Sequence, residues 1–252
     1  MADDLRSPEA WPPGRVIALA ATFDERDNIG PLIDALLAVD PAIQVLVVDD
    51  DSPDGTGRVV LDRAEREPRL HVLVRRGRRG LGSATLEGLE LARRHGFEIA
   101  VNLDADFSHD PTDVPRLVAA LGPPGDGSAA VAIGSRRVPG GRIVGWPPSR
   151  HVASWLVGWF TRVVLRVPVR DASSGFRAVR LEILGSVTGP FAEGYAFQED
   201  FLWRVHRAGG RIVEVPITFT DRTRGSSKAG IRESCRSIGD LLRLAGRTWL
   251  GW

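Results

Sequence analysis

The sequence predicts an α/β domain with a mostly parallel central sheet and helices on both faces. Apolar, strand-like runs alternate with segments of helical period along the first half of the chain, which is the pattern of successive β-α units. Two of those runs end in clusters of Asp. In such sheets ligands bind beyond the carboxyl ends of the strands, so fold and site are predicted together.

Residues 15–22 (RVIALAAT) read as a buried strand, and 24–39 as a helix with Ile29, Leu32, Ile33, Leu36 and Leu37 at helical spacing. Residues 43–48 (IQVLVV) form a second strand that runs into DDDSPDGT, and 57–66 follow as a helix. A short strand over 70–74, a helix over 83–95 and a strand over 99–103 come next. Residues 131–135 (VAIGS) are another strand, after which Gly140, Gly141, Gly145 and Pro147 mark an irregular loop. A helix spans about 149–165, a second lies within 191–207, and 211–220 is a late strand before the polar loop 225–230. Residues 1–14, acidic and Pro-rich without the apolar core of a secretory signal, are expected to be a loose tail before a domain over 15–230. Residues 231–252 read as an amphipathic helix: Ile231, Cys235, Ile238, Leu242, Ala245 and Trp249 form one stripe, Arg232, Arg236, Arg243 and Arg247 another.

With 252 residues, 43% of them apolar, the chain can bury a sizeable core. Lys plus Arg (33) balances Asp plus Glu (32), so no global field gathers nucleic acid, and anions must be held by local clusters. The single Cys235 excludes an internal disulfide and offers no metal-ligand spacing. No uninterrupted apolar run reaches the ~20 residues of a membrane-spanning helix.

The most informative stretch is IAVNLDADFSHDP, where a strand delivers Asp104 and Asp106 two residues apart. Side chains at i and i+2 of an extended segment share a face, so both carboxylates reach one point. Such acids are either solvated or capping loop residues, or a site for Mg2+ or Mn2+, which complete their shells with water and substrate phosphates. The second acidic strand end, Asp49 to Asp51, offers a carboxylate to a nucleobase N–H or a ribose hydroxyl, while Ser52 and Asp54 suit the turn and helix cap that follow. Together the two ends suggest a nucleotide pocket. Arg75, Arg76, Arg78 and Arg79 read as a solvated charge run in preference to a basic loop that touches phosphate, and His109 as a loop hydrogen-bonder rather than a metal ligand.

The order ATFDERDNI, VVDDDSPDGT, RGLGSATLEG, NLDADFSHDP, IGSRRVPGG, GWPPSR, SSGFR, GYAFQED and EVPITFTDRTRGSSK resembles the polyprenol (dolichol) phosphate mannose synthases, inverting family 2 glycosyltransferases of GT-A fold. It covers residues 16–228. The resemblance implies that Glu25 and Asp50, with the backbone around Ala21, Phe23 and Val48, hold the guanosine of GDP-mannose. It places a divalent metal, Mg2+ or Mn2+, on Asp104 and Asp106 with Ser108 nearby, and Ala105 beside the donor. Arg136, Arg222 and Lys228 would neutralise the diphosphate, and Arg136, Arg150 and Ser154 would take the acceptor phosphate. Arg150 has the plainer alternative of flanking a surface helix. Asp200, the acid of FQED, is the remaining catalytic candidate, either orienting the sugar or pairing with Arg204 at i+4, and Glu199 falls at a variable position.

The reaction so implied is inverting transfer of a hexose, mannose first, to a polyprenyl monophosphate at the cytoplasmic face of the membrane. The alternatives are a family 2 transferase using a UDP-hexose, and a catalytically silent relative that binds nucleotide or lipid phosphate. Phe23, Thr85 and Arg137 stand where the family has Tyr, and Arg79 where it has Lys, which puts the donor rather than the reaction type in question. A lipid acceptor implies a peripheral contact with the membrane surface. Trp155, Trp159 and Phe160 in residues 152–169, and Trp249 and Trp252 near Arg243 and Arg247, have the make-up of interfacial helices, although both helices could equally pack on the sheet. No membrane-protein subunit can be named from the sequence.

Overall fold

The computed structural model of the chain describes residues 4–6, 11, 14–125, 127–192, 194–221 and 231–250. Its first half is a run of strands and crossover helices: β1 (Asp4–Arg6), β2 (Val16–Thr22), α1 (Arg26–Val39), β3 (Gln44–Asp49), α2 (Thr56–Ala64), β4 (Leu70–Val74), α3 (Leu81–Arg94) and β5 (Ile99–Asp104). The second half adds α4 (Val114–Ala120), β6 (Val131–Ser135), β7 (Arg142–Val144), α5 (Pro148–Val163), β8 (Arg177–Arg180), α6 (Phe197–Arg207), β9 (Ile212–Pro216), β10 (Thr218–Thr220) and α7 (Ile231–Leu250). The main sheet runs β1-β4-β3-β2-β5-β8-β6-β9, while β7 and β10 pair separately. β2 to β5 are mutually parallel, and β8 lies antiparallel between β5 and β6.

Alternation along each strand divides the core into two layers. Ile17 and Leu19 of β2 point with Leu46 and Val48 of β3 toward α3, α6 and α7, and Ala18 and Ala20 point with Val45 and Val47 toward α1, α2 and α4. Burial of one such Leu, Ile or Val side chain is worth ~1.5–3 kcal/mol, so both layers contribute strongly to stability. α3 reaches the sheet closely because Gly88 has no side chain: a Cβ there would stand 2.5 Å from Leu19 Cδ1.

Several expectations need correction. Of the expected amino-terminal tail, the described residues are placed on the domain: β1 adds antiparallel to β4, and the Trp11 ring stacks between His71 (3.7 Å between centroids) and His95 (4.1 Å). The single strand expected over 211–220 divides at Ile217, whose side chain is buried and whose N–H donates to the Ser135 carbonyl; β10 then leaves the main sheet to pair with β7. β8 was not foreseen. Its apolar residues are only Ala178 and Val179, and Arg177 and Arg180 are buried because backbone carbonyls receive their guanidinium N–H groups: Gln198 and Ala172 for Arg177, Ala129, Leu121 and Gly122 for Arg180.

α7 also differs from its sequence reading. Its packing face runs through Leu241, Leu244, Ala245 and Thr248, the last accepting from Trp203 Nε1 at 2.9 Å. Ile238, Leu242 and Trp249 of the expected apolar stripe, for which membrane contact and packing are equal alternatives from sequence, are each more than half exposed. The loop 225–230 and Trp252 lie outside the described residues.

Candidate active site

β2 has β3 on one side and β5 on the other, so the chain's connections diverge between β2 and β5. A cleft of about 560 Å3 opens at the carboxyl ends of these strands, as the topology of an open α/β sheet requires. Ala21, Thr22, Phe23 and Glu25 enter it from the end of β2, Asp50 from β3, and Asp104, Ala105 and Asp106 from β5. Arg79, Gly80, Leu81 and Ala84 close one side, Ser173, Gly175 and Gln198 the other. Asp24, Asp51 and Phe107, each just past one of the three strands, adopt positive φ and turn the chain around the rim.

Asp104 and Asp106 line the same wall, and the Asp104 side chain is 39% exposed. Among the described residues no group of three His, Cys, Asp or Glu could hold a metal ion unaided. The donor set is therefore two hard carboxylate oxygens facing a cavity with room for further oxygen ligands, which suits Mg2+ or Mn2+. Ser108 is buried and borders a second cavity, about 710 Å3, behind the turn rather than the cleft; it serves Asp106 through its N–H, 3.0 Å from Oδ1. His109 likewise borders that second cavity rather than the cleft. Its Nδ1 accepts from the Asp104 N–H at 3.3 Å, its ring is buried against Phe176 and Phe219, and burial holds its pKa below the usual imidazole value.

Asp50 borders the cleft, but its oxygens already accept from Arg75 Nε at 2.7 Å and from Gly80 N at 2.7 Å. Arg75 is consequently not part of a solvated run: it is 1% exposed, and its guanidinium also meets Ser83 and Glu87. This anchors the loop that carries Arg79, whose guanidinium lies 4.2 Å above the Phe23 ring. Glu25 accepts from Asn28 Nδ2 at 2.8 Å. The Val48 side chain is wholly buried in the core, which leaves only its backbone for the donor.

Beyond Ser173, the cleft adjoins a cluster of cations and aromatic rings. Arg136 is buried with its fork closed on Asp171, at 2.7 Å from Nε and 2.6 Å from Nη2, and Nη2 also donates to Ser173 at 3.0 Å. Its expected bidentate grip on phosphate is therefore taken by a carboxylate. Arg150 is more open: it pairs with Asp221 at 2.8 Å and lies 4.2 Å above the Trp146 ring, which Arg136 approaches to 4.9 Å. Ser154 faces Ser173 at 3.4 Å between the hydroxyl oxygens. Arg222 and Lys228 lie outside the described residues.

Asp200 is not on the cleft. It accepts from Arg204 Nε at 2.7 Å and from the Ala192 N–H at 2.7 Å, so it clamps α6 to the preceding loop through the i+4 pairing. Its neighbour Glu199 is the chemically unusual acid. Burial raises its carboxyl to about 7, with Arg177 acting in the opposite direction, and burial lowers Arg177 to about 10. The sequence reading passed over Asp171, Ser173, Gly175 and Gln198. The last three stand in SSGFR and FQED, motifs recognised as blocks, and Asp171 lies just before SSGFR; no residue-level signal set any of them apart.

Residues 18–187 match the model of Glycosyl transferase family 2. The chain belongs to that family. Among curated relatives, this family 2 glycosyltransferase is 41% identical over 216 residues to an undecaprenyl-phosphate mannosyltransferase of Micrococcus luteus, covering 85% of this chain and 87% of the relative. It is 39% identical over 235 residues to a polyprenol monophosphomannose synthase of Mycolicibacterium smegmatis, covering 91% and 87%. Its fold is shared with glucosyl-3-phosphoglycerate synthase from Mycobacterium tuberculosis, solved in complex with UDP, at a TM-score of 0.66 and 22% identity over 92% of this chain and 80% of that one. The architecture is accordingly that of GT-A glycosyltransferases.

The Glu199 environment has a consequence for stability. A carboxyl raised from 4.5 to about 7 on folding binds its proton more tightly in the native state. The stability this provides is complete below pH 4.5 and lost as pH rises through 7. Glu199→Gln cannot ionise, so in urea denaturation it should match the wild type near pH 4 and exceed it by about 3 kcal/mol at pH 8. A variant less stable than wild type at pH 8 would show that the ionised carboxylate is instead held favourably by Arg177.

Proposed function

We propose that the protein transfers mannose from GDP-mannose, with inversion, to the phosphate of a polyprenyl monophosphate, aided by Mg2+ or Mn2+. The observation that carries this reading is the pairing of Asp104 and Asp106 on one wall of the cleft with Arg150, Ser154 and Ser173 beside it. The relatives named for mannosyl transfer to undecaprenyl phosphate and for polyprenol monophosphomannose synthesis support the same substrates.

Asp104 and Asp106 would hold the metal, which when bound offsets charge on the departing diphosphate. Phe23 and Arg79 offer a ring and a cation to the base, and Glu25 and the remaining lone pairs of Asp50 offer acceptors to base or ribose. The acceptor phosphate is anionic at neutral pH, so its oxygen attacks the anomeric carbon as the bond to the diphosphate oxygen breaks, and no strong general base is required. Arg150, able to exchange Asp221 for phosphate, and the Ser154 and Ser173 hydroxyls would aim that oxygen. Catalysis then rests on positioning and on stabilising the leaving group.

A membrane surface is the proposed source of the acceptor. Val152, Trp155, Leu156, Trp159 and Val163 recur along one face of α5, and all are about half exposed or more. Trp249 of α7 donates from Nε1 to the Val164 carbonyl at 2.9 Å and lies under Arg166, so the exposed apolar residues of α7 adjoin the same edge. Exposed Arg162, Arg166 and Arg247 flank this surface, the pairing of aromatic and basic residues that favours anionic headgroups. No described helix is long and apolar enough to cross a membrane.

With GDP-mannose and UDP-glucose competing for a polyprenyl phosphate, mannosyl lipid should be the product, and Asp106→Asn should lower kcat by about 100-fold or more. Transfer from UDP-glucose alone would remove the mannose assignment, and undiminished turnover by the variant would remove the role of the acid pair. Trp155→Ser with Trp159→Ser should cut sedimentation with anionic vesicles several-fold while activity on a short, water-soluble prenyl phosphate persists; unchanged sedimentation would discard the α5 surface as the membrane contact.

A further inference from the structure

The strand order sets out the cleft from one end to the other. Asp50 follows β3, Phe23 and Glu25 follow β2, Asp104 ends β5, and Gly175 leads into β8, the next strand across. If the acids of β5 take the diphosphate, a base against Phe23 leaves the sugar on the β8 side, toward Ser173 and the arginine cluster. This placement rests on the function proposed above.

At that end Gln198 borders the cleft while only 5% exposed. Among the described residues none hydrogen-bonds its side-chain amide, whereas its backbone carbonyl is fixed by Arg177 Nη1 at 2.8 Å. The amide atoms are not sealed off but open on the cleft, where a ligand that both donates and accepts can pair with them. The approach to it is kept open by Gly175. A Cβ on that residue would lie 3.1 Å from Asp104 Oδ1 and 3.6 Å from Gln198 Nε2, so the missing side chain leaves a gap between the carboxylate and the amide. Gly175 has no positive φ, so the glycine supplies room rather than backbone freedom.

We infer that Gln198 recognises the hydroxyl groups of the donor's sugar and is a specificity-determining residue of the transfer. A primary amide presents a donor and an acceptor side by side, complementary to adjacent hydroxyls on a hexose ring. Sites built to hydrogen-bond a substrate hydroxyl reject analogues that misplace it, because their own polar groups are then left unpaired.

The test compares binding of GDP with turnover of GDP-mannose and of its C2 epimer GDP-glucose by wild type, Gln198→Ala and the near-isosteric Gln198→Glu. Both variants should lose about 10- to 100-fold in kcat/KM for GDP-mannose. Their discrimination between the two epimers should narrow by a similar factor, while Kd for GDP stays within about twofold of wild type. A GDP affinity that falls in step with kcat/KM would mean that Gln198 only supports the cleft, and kcat/KM within twofold of wild type would mean that it does not touch the sugar; either overturns the inference. If Gln198→Ala melts early, Gln198→Glu with an unchanged melting temperature decides between these results. Wild-type protein that binds GDP yet transfers from no GDP- or UDP-sugar would overturn the transferase reading and this inference with it.

Discussion

Too many carboxylates converge on one end of a low-dielectric sheet, and the structure is organised by how that repulsion is relieved. A buried carboxylate is tolerated only with a partner, because desolvation would otherwise keep it neutral. Asp50 meets Arg75, Asp171 meets Arg136 and Asp200 meets Arg204, all within 2.7 Å. Each of these pairs fixes a loop: Arg75 and Asp50 the segment bearing Arg79, Arg136 and Asp171 the floor beside Ser173, Arg204 and Asp200 the entry to α6. Asp104 and Asp106 border the cleft, where the proposed function sets a hard cation and a diphosphate against them.

This division separates charges paired within the scaffold from those that border the cleft, a distinction invisible to residue type. Arg136 and Arg150 look equivalent as phosphate ligands, yet one is sealed against Asp171 and the other is 38% exposed with a surface partner. Glu199 and Asp200 adjoin in sequence but differ in environment: Asp200 has Arg204 at hydrogen-bond distance, while Glu199 is left with an uphill ionisation.

The parallel half of the sheet was legible because strands buried on both faces are continuous apolar runs, and β4 and β6 coincide with the runs read from sequence. The acid pair was legible because a strand end followed by D-x-D combines position with chemistry. β8 was hidden because it is an antiparallel insertion of four residues whose end arginines are buried by carbonyls far away in sequence. Which side of α7 faces inward was not legible because its apolar residues cover more of its circumference than one packing face, and the contacts of Leu244 and Thr248 with the core decide it. Partnerships such as Arg75 with Asp50 span 25 residues, beyond any local pattern. Family motifs recovered the neighbourhood of the site; which atoms face the ligand required the fold.

The central claim is that two carboxylates form half of a metal site that a nucleoside diphosphate completes. Titration of Mn2+ by electron paramagnetic resonance, with and without GDP, tests it most directly. Mn2+ should bind weakly to the protein alone and at least tenfold more tightly with GDP present, with GDP gaining affinity by the same factor as linkage demands. Equal Mn2+ affinity in the two titrations would contradict the shared site.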